Sequence, residues 1–119
     1  MPELLQIQTG RIEPDITVVA LAGKIVLGLD SREIEILVAD LVRKNEKKVI
    51  FDLSNVLYID SSGLGVIANC FSQLQQAGGG LRVAGAGNKV RDLFRITRLD
   101  TMMRLYPTVA EAGRDFTVG

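Results

Sequence analysis

Histidine is absent from the 119 residues. Its absence removes Ser-His-Asp and Cys-His catalysis and every His-containing metal site. Cysteine occurs once, at Cys70, so no internal disulfide and no cysteine-based structural zinc site can form. Tryptophan is missing and aromatics are 5% of the chain, which leaves core packing to Ile, Leu, Val and Ala. Net charge is missing too: 14 basic residues balance 14 acidic ones, so overall charge draws the chain neither to nucleic acid nor to an anionic membrane. No apolar run approaches the ~18 residues of a membrane span. The opening MPELLQIQTGRIEPD lacks the basic start and apolar stretch of a secretory signal. The expectation is a cytoplasmic chain with no nucleic-acid partner and no membrane partner.

Several catalytic motifs are absent as well. No G-x-x-x-x-G-K-[ST] loop occurs, and neither Ser61 nor Ser62 sits in a G-x-S-x-G elbow. Gly85-Ala86-Gly87-Asn88-Lys89-Val90 starts like a dinucleotide fingerprint, but Val90 stands where Gly or Ala is needed. A flexible strand-to-helix turn accounts for it; a nucleotide-binding enzyme using this turn is the remaining catalytic alternative. Acid pairs such as Glu33 and Glu35, or Asp52 and Asp60, are of a kind common on surfaces. The reading is therefore of a protein that is not an enzyme, with no catalytic residue, metal ligand or cofactor assigned.

What is present reads as one domain over residues 1–119. Leu4 to Gln8 and the β-branched Ile16 to Leu21 predict two strands forming a hairpin, with Gly10 to Asp15 as the turn. Ile34, Leu37, Val38, Leu41 and Val42 recur at helical spacing, with Asp30 or Ser31 as the cap and Arg43 to Lys48 as a solvated basic end. Lys48 to Leu53 predicts a buried strand, Ser54-Asn55 a turn, and Val56 to Ile59 a second apolar run. Leu64, Ile67, Ala68, Phe71 and Leu74 make one helical stripe that takes in Cys70 as a small buried residue. Gly78-Gly79-Gly80 ends that helix. A strand over Leu81 to Ala84, a helix through Val90 and Phe94, an edge strand from Met103 to Tyr106 and a Thr108–Glu111 capping box complete the chain. The order predicts an α/β fold: a mixed sheet of four to five strands, an opening hairpin followed by alternating strands and helices, covered by about four helices. Seven basic and ten acidic residues precede Ser61, and seven and four follow from there, a mild separation of about −3 and +3 that names no partner.

The stretch VLYIDSSGLGVI raises the functional question. Asp60, Ser61 or Ser62 can each cap the following helix, for ~1 kcal/mol. A cap needs one of them, and Gly63 and Gly65 each cost ~1 kcal/mol relative to Ala inside a helix. The junction is thus either an ordinary helix start or a place where a phosphate is carried and a partner approaches closely. The residues do not choose between Ser61 and Ser62.

YIDSSGLGVI, preceded by VIFDLSNV and followed by GGGLRVAGAGNKVRDLFRITRLD, resembles the signature of anti-sigma factor antagonists of the STAS domain family. The resemblance covers nearly the whole chain and implies a single STAS domain. It implies that the unphosphorylated protein binds a bacterial anti-sigma factor that is also a serine kinase, that this kinase phosphorylates Ser61 and so releases it, and that a metal-dependent Ser/Thr phosphatase resets the switch. It places Asp60, Ser62, Gly63, Leu64 and Gly65 at the partner surface. Many members carry Gly-Glu-Leu-Asp after the second strand, as part of the same surface. Here Gly23-Lys24-Ile25-Val26-Leu27-Gly28-Leu29-Asp30 puts Lys24 in place of the acid. Asp30 either supplies that carboxylate from a shifted position or caps the helix. The alternative is a STAS subunit of another assembly, a stress-signalling complex or lipid-transport machinery, without a sigma-factor output.

Overall fold

A computed structural model describes residues 5–118, apart from the side chains of residues 29, 30, 117 and 118. The strands are β1 (Gln6–Ile12), β2 (Ile16–Ile25), β3 (Lys48–Ile59), β4 (Gly80–Ala84) and β5 (Leu105–Tyr106). The helices are α1 (Leu29–Arg43), α2 (Ser61–Gln76), α3 (Asn88–Ile96) and α4 (Val109–Val118), with a short 3-10 turn at Leu99–Thr101. The strands form one sheet in the order β1-β2-β3-β4-β5. β1 is antiparallel to β2 and the remaining neighbours are parallel, the mixed sheet expected from the sequence.

This strand order has a consequence for the helices. Each crossover adds the next strand on the same side, and crossovers share one hand, so consecutive helices fall on one face. The core follows suit. Val19, Leu21, Val49, Phe51, Leu81 and Val83 point to the face covered by α1, α2 and α3. Ile16, Ile50 and Ala84 point the other way, where Ala112, Val109 and Phe116 of α4 meet them. A sheet wound in one direction has no strand-order reversal, and hence no crevice of the kind that holds ligands in doubly wound folds. The carboxyl ends of β2 and β3 instead present a surface.

The α2 stripe is buried as its spacing predicts: Ile67, Cys70 and Leu74 are fully enclosed, and Asn69, Ser72, Gln73 and Gln76 are exposed. Each large apolar side chain so enclosed contributes ~1.5–3 kcal/mol relative to exposure. Burial pushes the Cys70 thiol up to about 12, aided by the charge of Glu35. α2 closes with the Gly78 N–H donating to the Gln75 carbonyl and the Gly79 N–H to the Leu74 carbonyl. Gly78 takes φ +89 there, as a Schellman end requires. Thr108 caps α4, accepting from the Glu111 N–H at 3.2 Å.

Several boundaries differ from the sequence reading. β1 runs to Ile12 instead of ending at Gln8, because Gly10 and Arg11 pair in register with Val18 and Thr17; the turn shrinks to residues 13–15. Leu4 lies outside the described residues. β2 continues past Leu21 to Ile25, alternating buried and half-buried positions throughout. Ser54-Asn55 is no turn: β3 is continuous, and the register against β2 slips there and again at Leu57. The first bulge takes in the polar Ser54 and Asn55, and the second falls at the apolar Leu57. Asp52 steadies the first, accepting from the Ser54 backbone N–H at 3.0 Å and from its hydroxyl. α1 is capped by Gly28 and by neither Asp30 nor Ser31. The helix begins earlier than expected, which leaves Ser31 inside the first turn, where its hydroxyl donates back to the Gly28 carbonyl at 3.0 Å.

Candidate functional site

The carboxyl ends of β2 and β3 lie side by side, with Ile25 in register with Ile59. The Asp60 N–H donates to the Ile25 carbonyl at 3.2 Å. Asp60 then starts α2. Its extended backbone turns the side chain back over the first helical turn, where Oδ1 accepts from the Gly63 N–H at 2.8 Å. Its other oxygen, Oδ2, accepts from the Leu27 N–H at 3.2 Å. One carboxylate thus caps α2 and ties down the segment that leads into α1.

That arrangement settles which residue is the cap. Asp60 does the capping alone, and the Ser61 and Ser62 hydroxyls make no hydrogen bond in the described structure. Ser61 is exposed on the first turn of α2, and Ser62 is half-buried. No acidic residue lies within that first turn, so the positive end of the helix dipole faces solvent beside Ser61 with only Asp60 to offset it.

The two glycines part company. A Cβ on Gly63 would overlap the Ile25 carbonyl, whereas one on Gly65 would meet nothing. Gly63 is buried, and its reason to be glycine is internal: α2 presses against the end of β2. Leu64 is buried in the core as well. Close approach by a partner is not needed to explain Gly63; Gly65 is exposed and has no internal reason.

Lys24 lies one residue before the end of β2, half-buried and in register with Tyr58. It therefore belongs to the same edge of the molecule as Asp60 and Ser61. The Asp30 side chain lies outside the described residues. Gly85 to Gly87 lead from β4 to α3: the Gly85 N–H donates to the Tyr106 carbonyl at 3.0 Å, and Gly87 is the α3 cap position.

Sequence reasoning missed the apolar surface around the junction. Leu27, Leu57 and Tyr58 are large hydrophobics exposed to solvent. The second bulge in β3 turns Leu57 and Tyr58 outward, and the bond from Leu27 N–H to Asp60 ties Leu27 to the start of α2. An apolar run before Asp60 reads as core, and no periodicity signals a bulge inside it. An exposed serine at a helix start, with exposed apolar side chains on the strand before it and on the segment bonded to its cap, is a surface suited to a protein partner.

These features define an α/β domain whose distinctive chemistry lies on a surface helix start. The chain belongs to the STAS domain family, whose pattern matches residues 9–112. A Thermotoga maritima protein, a candidate anti-sigma factor antagonist by name, is 33% identical over 73 residues, which span 61% of this chain and 65% of that protein's length. An anti-sigma factor antagonist from Mycobacterium paratuberculosis shares the fold with a TM-score of 0.83 at 23% identity, over 98% of this chain and 97% of that one. The anti-sigma factor antagonist SpoIIAA, a Bacillus cell fate determinant, matches with a TM-score of 0.73 in its unphosphorylated form, at 16% identity over 96% of this chain and 99% of its own. Its phosphorylated form also matches at 0.73, at 18% identity over 92% and 98%. Among the described residues no helix is long and apolar enough to cross a membrane.

Proposed function

We propose that this STAS domain is an anti-sigma factor antagonist whose grip on an anti-sigma factor with serine-kinase activity is released by phosphorylation of Ser61. The observation that carries the reading is the division of labour at the start of α2. Asp60 caps the helix with both oxygens engaged, and the exposed Ser61 hydroxyl is left without a structural task. The relatives named as anti-sigma factor antagonists support the class of partner.

The energetics favour an intermolecular switch. A phosphate on Ser61 adds about −1.5 to −2 charges. The α2 N-terminus favours it by up to ~2 kcal/mol, and the neighbouring Asp60 carboxylate opposes it by a few kcal/mol at most. Against a domain stability of ~5–15 kcal/mol the difference is small, so the fold survives. SpoIIAA, which matches this fold equally well in both its forms, is consistent with that. A partner closing over Ser61 would instead have to desolvate a dianion. A penalty of ~4 kcal/mol there is about a thousandfold in affinity. To the partner surface we assign the exposed Leu27, Leu57, Tyr58 and Gly65 together with Ser62, Lys24 and Asp30, while buried Gly63 and Leu64 shape the helix start from within. A metal-dependent Ser/Thr phosphatase returns the protein to its binding state.

The test is a pulldown with candidate anti-sigma factors, with intact-mass detection of phosphate. Kinase and ATP should add one phosphate to the wild type and none to Ser61→Ala. Ser61→Ala should stay bound in ATP, and Ser61→Asp should bind at least about a hundredfold more weakly. Unchanged affinity after phosphorylation would reject the switch. Lys24, an inversion of the charge many members carry, favours a second reading in which the partner belongs to another STAS-containing assembly. Co-purification with transport or stress-complex subunits, and no phosphate on Ser61 in cells, would select it.

A further inference from the structure

Five of the seven basic residues from Ser61 onward lie on α3 and the segment after it; Arg82 and Arg114 lie on β4 and α4. α3 turns Lys89, Arg91, Arg95 and Ile96 to solvent, and the segment after it exposes Arg98, Met102 and Arg104. Between α3, the 3-10 turn and β5 runs a groove of about 550 Å3 lined by Arg91, Asp92, Arg95, Asp100, Arg104 and Leu105. None of these residues belongs to the junctions that carry Lys24, Asp60 and Ser61.

We propose that this groove is a second docking site, independent of Ser61, for an extended acidic segment of a protein partner. Three arginines against two aspartates give the lining a net charge of +1. A uniformly anionic surface, such as a lipid bilayer or a nucleic-acid backbone, would meet Asp92 and Asp100 as well as the arginines. A peptide with a few placed carboxylates meets the guanidinium groups selectively. Spacing supports an extended chain. Arg91 and Arg95 stand four residues apart, a rise of ~6 Å along the helix, and side chains two apart on one face of a strand are separated by ~6.7 Å. The groove also borders β5, the last strand of the sheet, whose outer side carries no strand among the described residues. Such an edge suits a chain lying alongside it.

The arginines are free to exchange partners. Arg91 donates to the Asn88 side chain at 2.7 Å, Arg95 pairs with Asp92 at 3.2 Å, and Arg104 reaches Asp115 at 3.5 Å. The Arg95–Asp92 pair is largely exposed, and exposed pairs hold their side chains weakly; the Arg104 side chain is exposed, and its partner Asp115 is already held by Arg82 at 2.8 Å. Leu105 offers apolar contact beside the charges.

The test uses fluorescein-labelled peptides and fluorescence anisotropy with the full chain. One peptide alternates glutamate and valine, the second has glutamine for every glutamate, and the third carries the glutamates and valines in separate blocks. The wild type should bind the alternating peptide roughly tenfold more tightly than either control. Raising salt from about 50 to about 300 mM should weaken that binding severalfold. Arg91→Gln/Arg95→Gln should abolish the preference without changing the melting temperature, and Ser61→Asp should bind the probe as the wild type does. Equal binding of the glutamine or block peptide would overturn the proposal, as would an Arg91→Gln/Arg95→Gln protein that keeps the preference. Loss of probe binding in Ser61→Asp would overturn the independence of the two surfaces. Capture by phosphatidylglycerol vesicles, with no binding of any peptide, would overturn the protein partner in favour of lipid.

Discussion

Two helices begin side by side at the carboxyl edge of the sheet, and they are held in different ways. At the start of α2 a carboxylate caps the first turn, reaches across to the Leu27 N–H, and Gly63 lets the helix press on the Ile25 carbonyl. At the start of α1 the cap is Gly28, with no side-chain acceptor, and Ser31 turns its hydroxyl inward. The first backbone bonds reflect this: Leu64 N–H to the Asp60 carbonyl is 3.0 Å, and Arg32 N–H to the Gly28 carbonyl is 3.4 Å. The α2 start is overdetermined by contacts that omit Ser61, so it can carry a modification there without losing its shape. The α1 start depends on its neighbour, because Asp60 is what fixes the approach to it.

Breaking the α2 start should have the largest effect. Gly63→Ala puts a methyl group into the Ile25 carbonyl, which as backbone cannot swing aside. A loss of about 3 kcal/mol is expected, read as a lowered urea midpoint. Gly65→Ala, two residues on, meets open space and should raise stability by ~0.5–1 kcal/mol through helix propensity. Opposite signs at the two glycines would confirm that only the first is a packing glycine. Asp60→Ala should cost ~1–2 kcal/mol for the lost cap. It should also loosen a region outside α2, seen as faster amide exchange at Leu27 and through the first turn of α1. Exchange changes confined to α2 would deny the cross-tie.

The buried face of α2 was legible because its apolar residues recur over eleven positions, Leu64 to Leu74, and the strands because short β-branched or apolar runs are set off by turn residues. The bulges in β3 were not. Ser54 and Asn55 have turn chemistry, and only pairing with β2, some thirty residues earlier in the chain, keeps them in a strand. The same non-local cause hid Leu57 and Tyr58, whose exposure follows from a register slip. The cap of α1 was misplaced because Asp30 and Ser31 satisfy the local rule while the cap position lies two and three residues earlier, at Gly28. Asp60 was one of three local candidates, and selecting it required the Leu27 and Gly63 N–H groups to be in place. The reason for Gly63 was invisible for the same reason: Ile25 is distant in sequence.

The smallest effect on stability is also the sharpest comparison. Ser31 and Ser61 both sit in the first turn of a helix, and neither is the cap. Ser31 is buried and bonded to Gly28, so Ser31→Ala should cost ~0.5–1 kcal/mol. Ser61 is exposed and unbonded, so Ser61→Ala should change the unfolding free energy by less than ~0.5 kcal/mol. If Ser61→Ala instead destabilises the fold as much as Asp60→Ala, the hydroxyl shares the capping. The serine would then be held by its own helix, and a kinase would have to break that hold before reaching it. Equal melting curves for wild type and Ser61→Ala, with phosphate incorporation lost only in the variant, would place the residue's whole contribution in the switch.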